Sequence, residues 1–173
     1  KDLCFSKKFK VTTPGEVSYV DLKERYFQEI LPQLNIKNKL KVVIDCGNGA
    51  ASKFAPDLFR KLNLKVESLY CNVNGNFPHH TPNPESRVNT LDLSQKVKEI
   101  DADLGIAFDT DGDRFGIVDE TGEAHENDRT LVILAKDLLE NNPGSKILYD
   151  IKSSRILETE IKKAGGRPLM MRT

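Results

Sequence analysis

Three aspartates stand at alternate positions in the stretch AFDTDGDRFG. Asp109, Asp111 and Asp113 follow an apolar run, and Arg114 comes directly after them. Negative charges this close together repel one another unless a cation lies between them. Carboxylate oxygens with no histidine or cysteine nearby favour a hard divalent ion, Mg²⁺, Mn²⁺ or Ca²⁺, over zinc. The stretch therefore predicts a metal site, in which Gly112 allows a tight bend and Arg114 is placed to meet an anion.

Three other interpretations of this stretch stay open. The first is a solvated acidic turn. The second is a calcium loop of the EF-hand type, although Arg114 stands at its sixth position, where such loops have glycine. The positions that match that loop are Asp109, Asp111, Asp113 and Glu120. The third is a phosphotransferase of the haloacid-dehalogenase type, with Asp109 as nucleophile and Asp111 as acid/base, in which the motif would follow the first strand of its domain.

Composition indicates an ordinary globular protein. The chain has 173 residues, 38% of them hydrophobic, and its 26 basic and 26 acidic residues give a formal net charge of zero. Such a length is enough for one or two domains. Because there is no global basic field, we expect no nucleic-acid partner and no binding to an anionic membrane. No apolar run approaches the roughly 18 residues of a membrane span, and no signal pattern opens the chain, so we expect a cytoplasmic location.

The three cysteines predict neither a disulfide framework nor a zinc site. Cys4, Cys46 and Cys71 are odd in number, widely spaced and without a C-x-x-C pair. We expect all three to be reduced and structural. A nucleophilic role for Cys46, which precedes Gly47 at the end of an apolar run, is the minor alternative.

Apolar periodicity predicts helices and strands in alternation. The predicted helices are residues 19–34, 50–62, 91–100, 131–139 and 153–163, the last capped by Ser153. The predicted strands are residues 40–44, 65–70, 103–108, a strand from residue 115 to the turn at 121–122, and residues 146–149 and 168–171. Residues 72–89 are predicted to form an irregular loop. Alternation of this kind favours parallel pairing, and the predicted fold class is α/β, with a layered mixed or parallel sheet flanked by helices.

The alternating helices and strands fall into two groups, separated at about residue 122. The strands before it can form one complete α/β domain, whereas one strand and a half after it cannot close a layered domain. We therefore expect part of a second α/β domain there, and we expect the chain to be a piece of a longer protein. In such folds function lies at the carboxyl ends of the strands, where the turn 47–49 and Asp109 both occur.

Weaker candidate sites lie in the loops. Backbone N–H groups of residues 47–49 can bind an anion at a helix start, but a tight turn between strand and helix is the favoured interpretation. His79 and His80 are adjacent in a polar loop, and adjacent histidines seldom converge on one metal ion. His125 has no partner in the sequence.

The stretch GIAFDTDGDRFGIVDETGE resembles the metal loop of the α-D-phosphohexomutases, the phosphomannomutase/phosphoglucomutase family, whose signature is D-G-D-G-D-R. Thr110 stands where that signature often has glycine, at a position that is not a ligand. Three further segments agree with the family in order and spacing: VVIDCGNGAA, FPHHTPNPE and LYDIKSSRILETEIKKAGGRP. Together they cover nearly the whole chain from Tyr19 onward.

The resemblance implies a domain organisation. Family members have four domains around one cleft. Residues 18–121 would be the second, metal-binding domain, residues 122–173 the N-terminal part of the third, sugar-recognising domain, and residues 1–17 a tail or linker from a missing upstream domain. The family's phosphoserine motif, T-A-S-H-N-P, does not occur in this sequence. We therefore expect the isolated chain to be inactive.

The resemblance also implies a reaction. A phosphoryl group would pass reversibly between C1 and C6 of a phosphosugar, through an enzyme phosphoserine and a bisphosphate intermediate. Magnesium would be held by Asp109, Asp111 and Asp113. Arg114 and Lys152 would be catalytic residues: Arg114 would contact the transferring phosphoryl group, and Lys152 resembles a family lysine that reaches the active site from the third domain, with a solvated lysine at a helix start as the alternative. The partners implied are the phosphosugar substrate and the missing domains of the parent chain. The alternative of a different class is a non-catalytic, divalent-cation-binding interaction module.

Overall fold

The computed structural model describes residues 5–6 and 15–172. Its strands are β1 (Lys41–Asp45), β2 (Lys65–Leu69), β3 (Leu104–Phe108), β4 (Phe115–Asp119), β5 (Ala124–His125), β6 (Lys146–Asp150) and β7 (Arg167–Met171). Its α-helices are α1 (Lys23–Ile30), α2 (Ala55–Lys61), α3 (Leu91–Glu99), α4 (Asn127–Asn141) and α5 (Arg155–Lys163). Short 3-10 helices lie at Leu31–Gln33, Ala50–Lys53 and Arg87–Thr90. The tail or linker predicted for residues 1–17 lies largely outside the described residues.

The main sheet has five strands in the order β2-β1-β3-β4-β5. β1 pairs in parallel with both β2 and β3, through crossovers that contain α2 and α3. β4 runs antiparallel to β3, and β5 runs antiparallel to β4. Only the short loop 109–114 joins β3 to β4, and a loop without a crossover helix can join only antiparallel neighbours. The sheet is therefore mixed, and the predicted α/β class is confirmed.

Both faces of the main sheet are covered. Alternate residues of a strand point to opposite faces, so Val43 lies on one side of β1 while Val42 and Ile44 lie on the other. Val43 packs with Leu93 and Val97 of α3. Val42 and Ile44 pack with Ala55 of α2 in a second cluster. This layering fixes the carboxyl ends of β1 and β3 side by side, which is where the aspartate loop begins.

A two-stranded parallel sheet of β6 and β7 follows the main sheet in the chain. Its core is formed by apolar side chains of α4, β6 and α5, namely Val132, Ala135, Leu139, Tyr149, Leu157 and Ile161. Apolar side chains of its strands stay between 40% and 57% exposed, namely Leu148, Leu169, Met170 and Met171. A sheet of two strands covered on one side has the arrangement expected for part of a layered domain, and the domain bounds at residues 17 and 121 stay a prediction.

The first two predicted helices begin later than expected. The helix predicted from residue 19 begins at Lys23, because the backbone N–H of Lys23 is bound by the side chain of Asp21 at 2.9 Å, a local bond that competes with helical pairing. The helix predicted for residues 50–62 is divided at Phe54 into a 3-10 helix and α2, since Pro56 has no N–H to continue a helix from the preceding turn.

The predicted cap of the last helix was wrong. Ser154, not Ser153, precedes α5, and its side chain makes no capping hydrogen bond. The backbone N–H of Ser154 instead donates to the carboxylate of Asp128 at 2.6 Å, which ties the start of α5 to the start of α4. β5 was not predicted, because a strand of two residues has no periodicity to detect. No helix among the residues described combines the length and the apolar character that a membrane span requires.

Candidate metal centre and cleft

The aspartate loop is the connection between β3 and β4. It begins where β3 leaves the middle of the main sheet and returns at Phe115, directly opposite Phe108 in the strand register. Gly112 has a φ of +79°, in the left-handed region that favours glycine, so the loop turns sharply at this position as predicted. The turn brings the three carboxylates of Asp109, Asp111 and Asp113 together, with one oxygen of each within 4.8 Å of the others.

Asp109 is the buried member of the cluster, with only 1% of its surface exposed. Its Oδ1 accepts from the backbone N–H groups of Gly112 at 3.0 Å and Arg114 at 3.1 Å. Its Oδ2 accepts from Nε of Arg114 at 2.9 Å. Burial opposes ionisation of Asp109, but the hydrogen bonds from Arg114 outweigh it and hold the pKa of Asp109 below its usual range. The loop therefore contains a carboxylate that stays charged although it is buried.

Asp111 and Asp113 are the exposed members of the cluster. The neighbouring charge of Asp111, followed by the contact with Asp109, raises the pKa of Asp113 above its usual range. Arg114 offsets only part of this repulsion, and a cation among the three carboxylates would relieve the rest. Mg²⁺ lies about 2.0–2.1 Å from its oxygen ligands, so ligands on opposite sides of the ion are about 4.2 Å apart. Oxygens that already lie within 4.8 Å of one another fit such an ion after small side-chain rotations.

Arg114 bridges the cluster and the neighbouring loop. Its Nε lies 2.9 Å from Asp109 and 3.6 Å from Asp113, and its Nη1 lies 3.7 Å from Oε1 of Glu85. The side chain is 50% exposed. A guanidinium has five N–H donors, so these contacts leave terminal donors that face solvent and can reach an anion.

A cleft of about 750 Å³ opens beside the aspartate loop. Asp113, Arg114 and Phe115 of the aspartate loop and β4 line it, and so do Asp150, Lys152 and Ser153 at the end of β6. The side chain of Lys152 is 73% exposed, and its Nζ is 3.9 Å from Oδ2 of Asp150. The two residues predicted to be catalytic, Arg114 and Lys152, thus line the same cleft.

The turn at residues 47–49 supports the aspartate loop and is not an anion site. Its backbone N–H groups are already used within the protein: Gly47 donates to Asp45, Asn48 to Tyr70 and Gly49 to Cys46. The next N–H, that of Ala50, donates to the carbonyl oxygen of Thr110 at 2.8 Å. The interpretation as a tight turn is therefore the one that the structure supports, and the turn touches the backbone of the metal loop.

The histidines of the loop 72–89 are used separately. His80 Nε2 lies 3.0 Å from Oδ2 of the fully buried Asp45. The ring of His79 instead stacks on Tyr70, with ring centroids 3.8 Å apart. The two rings therefore do not converge on a common ligand, as the sequence analysis expected of adjacent histidines.

His125 has a hydrogen-bond partner that its place in the sequence does not reveal. Its Nε2 lies 2.7 Å from Oδ2 of Asp119, on the neighbouring strand β4. The hydroxyl of Thr121 and nearby backbone N–H groups also donate to Asp119, and they lower the pKa of Asp119 to about 2. His125 is held in this way on the wall of the cleft.

The cleft also contains residues that the sequence analysis did not single out. Glu85, Arg87 and Glu126 line it together with His125. Glu85 ends the segment FPHHTPNPE, and its ion pair with Arg114 brings together residues that are far apart in the sequence. Charged residues in loops are common, so no spacing signal separates these from solvated side chains.

Comparison with known proteins identifies the chain's relatives. Residues 24–122 match the family profile described as phosphoglucomutase/phosphomannomutase, alpha/beta/alpha domain II. A phosphomannomutase/phosphoglucomutase of Pseudomonas putida is 48% identical over 159 residues, which are 92% of this chain and 34% of that protein. A phosphoglucomutase of Neisseria meningitidis serogroup B is 40% identical over 159 residues, 92% of this chain and 35% of that protein.

A solved structure agrees with these sequence relatives. A phosphoglucomutase/phosphomannomutase family protein from Burkholderia thailandensis has a TM-score of 0.85 at 39% sequence identity, covering 88% of this chain and 33% of that one. The chain therefore spans about a third of the length of the relatives it matches. Because the family profile takes in more than half of the chain, and the Pseudomonas relative agrees over nearly all of it, the chain belongs to the phosphoglucomutase/phosphomannomutase family.

Proposed function

We propose that this chain supplies the magnesium site of a phosphohexomutase, which interconverts hexose 1-phosphate and hexose 6-phosphate. The observation that supports this most directly is the convergence of Asp109, Asp111 and Asp113 at the edge of a cleft that also contains Arg114 and Lys152. Phosphoryl transfer requires both negative groups that bind a divalent ion and positive groups that bind phosphate.

The carboxylates of Asp109, Asp111 and Asp113 would hold the ion. When bound, Mg²⁺ would accept a phosphate oxygen as a further ligand, and its positive charge would stabilise the transferring phosphoryl group. The chain's own contribution is preorganisation: the bonds from Gly112 and Arg114 fix Asp109 in one orientation, while the exposed side chains of Asp111 and Asp113 complete the set of ligands. The donor set contains only oxygens, as magnesium prefers.

Arg114 and Lys152 would bind and orient the phosphosugar. Arg114 is anchored through Nε to Asp109, so its terminal N–H groups are presented to the cleft by a rigid base. Charge-assisted bonds from such donors strengthen as negative charge develops on a transferring phosphoryl group. Lys152 lies on a tight turn, in which its backbone N–H donates to Asp150 at 2.7 Å. Its ammonium group is exposed, 3.9 Å from Asp150 Oδ2, and would meet a second phosphate.

The nucleophile would come from the rest of the parent chain. The proposal includes an enzyme phosphoserine and a bisphosphate intermediate, and no serine of this chain stands in the family's phosphoserine motif. The isolated chain would then be inactive. An apolar groove of about 580 Å³ lies next to Asp111, lined by Tyr26, Phe54, Leu58, Phe59, Phe108 and Phe115, and it supports the presence of a further domain that covers it.

The remaining alternatives have less support. Strands, not helices, flank the aspartate loop, so it is not an EF-hand. Family membership also removes the haloacid-dehalogenase interpretation, in which Asp109 attacks the phosphate. The geometry of the carboxylates alone is equally compatible with a non-catalytic module that binds a divalent cation.

An assay of the full-length protein separates these two functions. We expect glucose 1-phosphate or mannose 1-phosphate to be converted to the 6-phosphate, with loss of activity on removal of divalent ions. Lys152→Ala should lower kcat/KM at least tenfold and leave the melting temperature unchanged, whereas Lys146→Ala, at an exposed position of β6, should change neither. Cation binding by a full-length protein without mutase activity, and without a serine in a T-A-S-H-N-P-like setting upstream, would favour the binding module.

A further inference from the structure

Two thiols lie side by side where the neighbouring strands β1 and β2 end. Cys46 directly follows β1 and is fully buried, and Cys71 follows β2 and is partly exposed. Both are free thiols, and their Sγ atoms are 3.0 Å apart. A disulfide has about 2.05 Å between the sulfur atoms, so the two sulfurs need to approach by about 1 Å.

The backbone holds the two thiols together. The N–H of Cys46 donates to the carbonyl of Leu69 at 3.2 Å, which continues the pairing of β1 with β2 past the end of the strands. Tyr70 then has a φ of +50°, a left-handed conformation that is costly for a bulky residue. This turn brings Cys71 back toward Cys46, where its thiol lies within reach of Cys46 Sγ, Leu69 O and Ile44 O.

Further bonds keep the two segments in register. The backbone N–H of Asn48 donates to the carbonyl of Tyr70 at 2.8 Å, and its side-chain Nδ2 donates to the carbonyl of Asn72 at 2.7 Å. Each cysteine is therefore flanked by hydrogen bonds to the segment that contains the other. The contact between the sulfurs is thus built into both turns and does not depend on one flexible side chain.

The two thiols differ in the way that a reactive pair requires. The hydrogen bond shared with Cys46 lowers the pKa of Cys71, while the same contact, together with burial, raises the pKa of Cys46. The thiolate therefore forms on the more exposed sulfur, and the buried thiol lies ready beside it.

We propose that Cys46 and Cys71 are a redox-active dithiol that a peroxide converts into a disulfide. The thiolate of Cys71 attacks one oxygen of the peroxide, the O–O bond breaks, and the oxygen that leaves takes up a proton. Cys71 is then a sulfenic acid. The sulfur of Cys46 attacks the sulfur of Cys71, its proton and the hydroxyl leave as water, and the S–S bond forms. Two thiols have lost two electrons, and hydrogen peroxide has become two molecules of water.

Peptide mapping tests the pairing directly. The full chain, without metal ions, is treated with hydrogen peroxide, its remaining thiols are alkylated, and it is digested without reduction. We expect one cross-linked peptide that joins Cys46 to Cys71, which dithiothreitol removes. In urea, the three cysteines should instead give a mixture of the possible pairings. The oxidised chain should also melt at a higher temperature than the reduced chain, since the cross-link constrains the unfolded state.

A variant at the more exposed position provides the control. Cys71→Ser should fold, because serine is of similar size, and after peroxide it should give no cross-link to Cys46 and no rise in melting temperature. The proposal is overturned if Cys46 and Cys71 both stay open to alkylation after peroxide treatment of the folded chain. It is equally overturned if they are recovered as sulfinic acids, or if Cys4 is joined to either of them as often as they are joined to each other.

Discussion

Arg114 donates from Nε to Oδ2 of Asp109 over 2.9 Å, so a residue proposed to bind phosphate is paired with a residue proposed to bind the metal ion. The backbone N–H of Arg114 binds the other oxygen of the same carboxylate at 3.1 Å. One residue therefore fixes both oxygens of a buried aspartate. This arrangement couples the position of the phosphate-binding group to the position of the metal ligand.

The first prediction concerns Arg114→Gln. The side-chain bonds lower the pKa of Asp109, so they contribute stability above the unfolded pKa of about 3.9, and this stability is lost as the pH falls through the folded value. We expect the variant to have a lower urea midpoint than the parent at pH 7, and the difference to narrow below about pH 4. Arg25→Gln, which removes an exposed pair with Glu29, should change the midpoint little. Equal midpoints for Arg114→Gln and the parent at pH 7 would contradict the prediction.

The second prediction concerns Asp111→Asn in the presence and absence of Mg²⁺. The charge of Asp111 is the main cause of the raised pKa of Asp113, so its removal should relieve repulsion and raise the melting temperature in metal-free buffer. In millimolar Mg²⁺ the parent should gain about 1.4 kcal/mol for each tenfold excess of free ion over its Kd, and the variant should gain much less. Thermal unfolding across a Mg²⁺ titration measures both effects.

Asp137→Asn is the matched control for that experiment. Asp137 is exposed on α4 and lies outside the acidic cluster, so its substitution should leave the metal-dependent rise intact. A rise in Asp111→Asn as large as that of the parent would remove Asp111 from the set of ligands.

Local patterns predicted the strands other than the two-residue β5, and they predicted the aspartate loop, but the contacts between these elements were not predictable in the same way. The run from Val42 to Ile44 predicts a buried strand because its side chains are β-branched and apolar, and the alternate aspartates predict a metal loop because their charges need compensation. The pairs Asp45–His80 and Cys46–Cys71 join residues 35 and 25 positions apart. Such pairs depend on the register of neighbouring strands and on left-handed turns, for which a single sequence has no spacing rule.

The third prediction concerns the close approach of Gly49 to the aspartate loop. A Cβ atom at this position would lie 2.6 Å from the carbonyl oxygen of Thr110 and 3.0 Å from that of Asp109. Both atoms belong to the backbone, so the loop would have to move. We expect Gly49→Ala to cost about 1–3 kcal/mol of unfolding free energy and to weaken Mg²⁺ binding, as measured by urea unfolding with and without Mg²⁺.

Gly75→Ala separates this effect from a general cost of replacing glycine. No atom lies within 4 Å of a Cβ atom added at Gly75, and the substitution should change the unfolding free energy by no more than about 0.5 kcal/mol. If Gly49→Ala had no larger effect than Gly75→Ala, the contact between the turn and the metal loop would not contribute to stability.

The last prediction concerns the pH dependence of the pair between His80 and Asp45. The hydrogen bond to Asp45 raises the pKa of His80, with smaller contributions from the carbonyl of Thr81 and the charge of Asp92, while burial opposes the rise. A group whose pKa is raised in the folded state contributes stability that is fully present below its unfolded value of about 6.5 and is lost as the pH rises through the folded value. The free energy of unfolding of the parent should therefore exceed that of His80→Gln by about 1–3 kcal/mol at pH 6.

The same difference should shrink as the pH rises through the folded pKa of His80. Urea unfolding of both proteins between pH 5.5 and pH 9 measures it. His79→Gln is the control for loss of a histidine ring from the same loop, because the ring of His79 stacks on Tyr70. If the His80→Gln difference stayed constant over this pH range, the raised pKa would not be a source of stability, and the pair would hold the loop 72–89 to β1 only as a neutral hydrogen bond.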